Sequence, residues 1–301
     1  MTNAPESLPV ESSSQFTDLD QAPAELLPYL EDLAKLGVLT PAPELPNPPD
    51  RNPEPATPAT TDSLFRPNDT VTRRDYARWL VVTNNKLYGD RPTNQIRLGL
   101  TSEQPVFQDV PSSDRDFAVI QGLADAGIIP STLSGSSTTT FRPDAPLTRE
   151  DLIRWKVPLD VRQNLPTATV DTIQQTWGFQ DANRIDPDAL RAVLADYQNG
   201  EQSNIRRAFG YTTLFQPQKP VTRAEAAAVV WQFGYQGDGI SVADALATPA
   251  PDATAPDPAS DNNNGSDSAS NPADSNPADS SALSSSESSA TDVGNALARF
   301  L

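Results

Sequence analysis

Phe65–Asp75 reads FRPNDTVTRRD, Phe141–Asp151 reads FRPDAPLTRED, and Phe215–Glu225 reads FQPQKPVTRAE. The three align without a gap, at intervals of 76 and 74 residues. Self-similarity at a near-constant period means one supersecondary unit used again and again. Each copy has an upstream partner: FTDL from Phe16, FQDV from Phe107 and FQDA from Phe179. After the first two comes a helical spacing, with Leu26, Leu30 and Leu33 as one apolar set and Phe117, Ile120 and Leu123 as the other. Both helices end alike, in LAKLGVL (Leu33–Leu39) and LADAGII (Leu123–Ile129), so Gly37 and Gly127 are expected in left-handed caps. The third copy lacks that signature, and Asn199-Gly200 is the expected break.

The Thr-Arg pair opens a second helix in each copy. Thr222 and Glu225 form a capping box, in which the threonine side chain accepts from the third helical N–H and the glutamate reaches back. Thr72 with Asp75 and Thr148 with Asp151 are weaker versions. Residues 4, 7, 8 and 11 past each Thr share one helix face. They are Tyr76, Trp79, Leu80 and Thr83; Leu152, Trp155, Lys156 and Leu159; and Ala226, Val229, Val230 and Phe233. Pro158 is expected to shorten the second of these helices.

Capping accounts for the threonines and the acids, but not for Arg73, Arg149 and Arg223. A cation at the first helical position opposes the helix dipole by roughly 0.3–1 kcal/mol when exposed. Two explanations are open: pairing with an acid elsewhere, such as Asp18, Asp109 or Asp181, or an anion site beside the free N–H groups of the first turn. If the second holds, loss of an arginine should leave the helix intact and weaken binding.

The opening Phe and the Phe-x-Pro are 49, 34 and 36 residues apart in the three copies. The excess in the first is residues 41–62, with eight Pro, read as an extended surface insertion. The expected division is a disordered N-terminus (1–15), copy one (16–88), copy two (107–165), copy three with a degenerate first half (177–247), and a disordered acidic tail (248–301) of Ala, Pro, Asp, Ser and Asn. A broad-specificity protease is expected to trim that tail first. The tail and its apolar end, GNALARFL (Gly294–Leu301), offer a docking segment for a protein partner.

The chain has 301 residues, 22 basic and 40 acidic, for a net charge of −18, with neither Cys nor His. The acid excess sits in the flanks, and the centre is near neutral. That balance disfavours nucleic acid as a partner. Lack of Cys and His removes thiolate and imidazole catalysis, so no enzyme and no cofactor are expected. Asp181, Asn183, Asp186 and Asp188 hint at calcium, but the Gly and Glu of an EF-hand loop are missing, so no metal is expected either. Trp79, Trp155 and Trp231 are candidates for stacking on sugar rings, although helical spacing places the first two in the core. No stretch approaches the ~20 apolar residues of a membrane-spanning helix. MTNAPESLPVESSS has no signal-peptide pattern. A cytoplasmic location is expected as written, and the cell envelope or periplasm if a leader precedes Met1.

These motifs resemble the S-layer homology (SLH) domain: an opening Phe-x-Asp, a helix, a Gly turn, Phe-x-Pro, then Val-Thr-Arg-Ala-Glu, present in full at Val221–Glu225. LTREDLIRWKVPLD and the stretch around VTRAEAA look like the cyanobacterial and chloroplast branch. The resemblance covers about Phe16 to Leu246. It implies an all-α domain of three SLH repeats in a pseudo-threefold arrangement. It also implies binding of anionic, often pyruvylated, cell-wall polysaccharide in grooves between repeats. Carried over, it points to Arg73, Arg149 and Arg223 as glycan contacts, positioned by Thr72, Thr148 and Thr222. The expected function is non-catalytic anchoring at the cell envelope. The alternative is an intracellular or thylakoid-associated scaffold in which the repeats are only a fold.

Overall fold

Thr72, Thr148 and Thr222 each start a helix by accepting, on the side-chain oxygen, the N–H of the residue three places on: Asp75 at 3.2 Å, Asp151 at 3.3 Å and Glu225 at 3.1 Å. The structure is a computed structural model, and it describes residues 16–42 and 64–247. The expected disordered N-terminus, nearly all of the Pro-rich insertion and the acidic tail lie outside these residues.

The described chain is mostly helical. In order come α1 (Leu27–Leu36), α2 (Arg73–Leu87), α3 (Phe117–Asp125), α4 (Arg149–Val161), α5 (Val170–Trp177), α6 (Pro187–Gln198), α7 (Asn204–Phe209) and α8 (Arg223–Val230). A two-stranded antiparallel ribbon, β1 (Gln232–Phe233) and β2 (Ile240–Ser241), leads into α9 (Val242–Ala247). Among the described residues, no helix is long and apolar enough to cross a membrane.

Local chemistry explains most boundaries. Gly37 (φ 69°) and Gly127 (φ 68°) turn the chain left-handed after α1 and α3. The next residues close the ends, Val38 N–H donating to the Leu33 carbonyl and Ile128 N–H to that of Leu123. Glu225 completes the box by accepting the Thr222 N–H at 2.8 Å, a return bond that neither Asp75 nor Asp151 makes. Thr222→Ala is expected to cost about 1 kcal/mol, read as a lower urea midpoint at unchanged slope.

One length expectation fails. α4 runs 13 residues straight through Pro158, and α8, at eight residues, is the short one. Pro158 lies close enough to the end of α4 that only one turn follows it. Buried Leu159 anchors that turn, and Arg162 N–H closes it on the Pro158 carbonyl at 3.0 Å. α8 stops early because the chain bends into β1, with Val242 N–H bound to the Trp231 carbonyl.

The opening acids tie each copy's two halves together. Asp18 accepts the N–H groups of Phe65 and Arg66, Asp109 those of Phe141 and Arg142, and Asp181 those of Phe215 and Gln216, all at 2.7–2.9 Å. Above each acid the two phenylalanines meet, with ring centroids 5.6, 5.6 and 5.4 Å apart.

Between copies the backbone forms a closed circuit. Val71 N–H donates to Val221 O, Val221 N–H to Leu147 O, and Leu147 N–H to Val71 O, at 2.9–3.0 Å. Around it, Arg73 N–H reaches Ala145 O, Arg149 N–H reaches Lys219 O, and Arg223 N–H reaches Asp69 O. The packing follows the same order: α3 lies on α2, α6 on α4 and α1 on α8. All twelve residues named for the inner faces of the second helices are buried, but Phe233 stands in β1, because α8 ends at Val230 before reaching it.

Candidate functional site

The free N–H groups of the first turn of α2, α4 and α8 point at neighbouring backbone. Besides the bonds at the first position, the second-position N–H groups of Arg74, Glu150 and Ala224 donate to the carbonyls of Pro143, Pro217 and Pro67. The arginine side chains follow the same direction.

Arg73 is 8% exposed; its Nε donates to the Phe141 carbonyl at 2.8 Å, and its guanidinium pairs with Asp151. It lies 5.1 Å from the Phe141 ring centroid and 4.6 Å from that of Trp155. Arg223 is 1% exposed, with Nε on the Phe65 carbonyl at 2.7 Å, Nη1 on Asp75 at 3.3 Å and Nη2 on the Thr40 carbonyl at 2.5 Å. Its rings are Phe65 and Trp79. Burial pulls the pKa of all three Thr-Arg arginines down, against the raising pull of Asp151, Glu225 and Asp75.

Arg149 is held more loosely. It reaches the Phe215 carbonyl through Nη1 at 3.2 Å and Glu225 through Nη2 at 3.4 Å, and its buried Nε has no partner. The cause is in the sequence. Val229 stands where the other copies have Trp79 and Trp155, so Phe209 of α7 supplies the ring instead, 4.0 Å from the guanidinium. Glu225 is also shared with the Thr222 N–H.

The arginines therefore pair with acids, but not with those the spacing suggested. Asp18, Asp109 and Asp181 are spent on backbone N–H groups. The partners are Asp75, Asp151 and Glu225, the residues assigned to capping, each on the next copy around the circuit. Of the two explanations, these buried contacts support pairing, under which loss of an arginine costs the fold stability.

Beside Arg73 lies an open groove of about 830 Å³. Its walls carry Thr148, Glu150, Asp151 and Arg154 of copy two, the hydroxyl run Ser136–Thr140 with Arg142, and Asp186, Asp188 and Gln218 of copy three. Arg154 pairs with Asp188 at 2.8 Å. Glu150 accepts the Asp186 N–H at 3.1 Å and the Gln218 side-chain amide. Burial holds its carboxyl above the ordinary range, against the lowering effect of that N–H. The equivalent of Glu150 in copy one is Arg74, which is filled by Asp114, Asp116 and Asp144. Of the six residues singled out from sequence, Arg73 and Thr148 line this groove. Glu150, Arg142, Arg154 and the hydroxyl run were missed, although SGSSTTT (Ser134–Thr140) stands out as a polar run just before Phe141.

The tryptophans divide. Trp79 and Trp155 are fully buried and closed to any ligand. Trp231 is part-exposed and donates to Asp32 at 3.0 Å. Asp186 caps α6 by accepting the Asp188 N–H at 2.9 Å.

No curated protein matches the chain. The family model described as the S-layer homology domain matches residues 106–153 and 209–227, the stretches that hold the second and third Phe-x-Pro and Thr-Arg motifs and one wall of the groove; in those two regions the chain is similar to an S-layer homology domain, a module that generally mediates cell-wall anchoring.

Proposed function

We propose that this chain is a non-catalytic anchoring module that binds wall polysaccharide of the cell envelope. The observation that carries the reading is the groove beside Arg73 and Thr148. It is open, rich in hydroxyls and guanidinium groups, and walled partly by residues 106–153, which match the family. Hydroxyls and charged forks suit a polyhydroxylated ligand. Three SLH repeats in a pseudo-threefold arrangement are part of this proposal, supported by the backbone circuit that closes after three steps. So are the likeness to the cyanobacterial and chloroplast branch and an anionic, pyruvylated ligand. In this reading Arg73 and Thr148 face the ligand's groove. Arg149, Arg223, Thr72 and Thr222 act by holding the copies in register.

The test is co-sedimentation of the full chain with purified wall sacculi. Pelleting that weakens with added salt is expected. A chain that stays in the supernatant at low salt overturns the reading. The second reading, an intracellular or thylakoid-associated scaffold, draws support from the internal pairing of all three Thr-Arg arginines. A chain that ignores sacculi would favour it.

A further inference from the structure

The charges of the groove are nearly all used inside the protein. Arg73 is tied to the Phe141 carbonyl and Asp151, Arg154 to Asp188, and Glu150 to the Asp186 N–H and Gln218. Arg142 differs. It lines the groove and is exposed, and among the described residues no carboxylate or carbonyl accepts from its guanidinium.

Its backbone is fixed all the same. Asp109 accepts the Arg142 N–H at 2.7 Å, Pro143 follows, and φ is 56°. Gly or Asn would be the cheaper residue at such a φ. Gln216 holds the same place in copy three at φ 54°, so the turn does not need a cation. A long, unpaired cation at a fixed point on a groove wall is placed to meet something outside the chain.

We propose that Arg142 is the anion subsite of this groove. Its planar fork takes the anionic group of a sugar unit, carboxylate or phosphate, in paired N–H···O bonds. Ser137 and Thr139 present hydroxyls on the same wall to the rest of the ring. The assignment rests on the reading that the groove binds polysaccharide, and it moves the ligand's charge contact from the buried Thr-Arg arginines to the Phe-x-Pro loop.

The experiment uses the full chain with three soluble probes, polygalacturonate, poly(glycerol phosphate) and dextran, by calorimetry, with wall sacculi as a fourth arm. The variants are Arg142→Gln, which copies copy three, and Arg142→Gly, which suits the positive φ. Both should melt no lower than the parent. Loss of one charge-assisted contact should weaken binding of the preferred anionic polymer roughly tenfold or more and flatten its salt dependence. Which anionic polymer responds identifies carboxylate or phosphate. Equal affinity of parent and both variants for both anionic polymers overturns the assignment, as does dextran binding that falls with them. If the parent pellets with sacculi and Arg142→Gln pellets as well, the assignment falls and the wall reading stands. If the parent ignores sacculi but binds an anionic polymer through Arg142, the wall reading falls and the assignment stands. If the parent binds no probe at all, both fall.

Discussion

Arg223→Ala is expected to lower the unfolding free energy by about 3–5 kcal/mol, the range for breaking a buried ion pair from one side. Three acceptors lose their donor at once: the Phe65 carbonyl, the Thr40 carbonyl and the Asp75 carboxylate. The guanidinium also leaves a gap between Phe65 and Trp79. Arg223→Lys should recover little, because one ammonium cannot reproduce a planar fork aimed at three oxygens. Arg149→Ala should cost less than half as much, since its two bonds are longer and its Nε is already unpartnered. Urea unfolding of the three single variants gives the ranking. A cost below about 1 kcal/mol for Arg223→Ala would mean that the arginine is not structural.

Stability should rise between pH 8 and pH 10, against the usual trend. Lys156 is fully buried; it pairs with Asp160 and lies 3.9 Å from the Phe233 ring centroid. Burial pulls its pKa down to about 8 from 10.5, with Asp160 pulling the other way and Arg207 adding to the fall. The folded state then sheds a proton near pH 8 that the unfolded chain keeps until about 10.5. The unfolded state binds more protons in that window, so the unfolding free energy climbs with pH, by on the order of 2–3 kcal/mol. Above pH 10 the buried Tyr76 hydroxyl, whose pKa burial raises, reverses the slope, because only the unfolded chain gives up that proton. Lys156→Met should flatten the climb. It should also lower stability at pH 7, because Asp160 keeps only the Gly234 N–H and the Asn204 amide. Urea midpoints at pH 7, 8, 9 and 10 measure both effects; a parent midpoint that does not rise rejects the argument.

What was legible in the sequence was local. The threonine caps, the glycine turns and the buried helix faces depend on residues within a turn or two, and the structure has them. α5 left a signal that went unread: Thr169 as cap, Val170, Ile173 and Trp177 on one face, and Gly178 in the left-handed region. What the spacing could not give was the exchange of partners between copies. Asp75 reads as a cap to Thr72, yet its carboxylate serves Arg223, 148 residues away. The groove was hidden for the same reason: its walls come from loops and helix starts of different copies, and the loop preceding Phe141 has no periodicity to mark it.

The circuit of Val71, Leu147 and Val221 has a consequence for synthesis on the ribosome. No member can finish its bonds until the last is made, since Val71 donates to a carbonyl 150 residues downstream. At roughly 5–20 residues per second, the first copy waits about 8–30 s for the third. Through that interval Trp79, fully covered at the end, lacks the Arg223 guanidinium that lies 4.9 Å from its ring centroid. The nascent chain is most exposed to aggregation and proteolysis during that wait, and a stop codon before Val221 leaves both earlier copies unclosed.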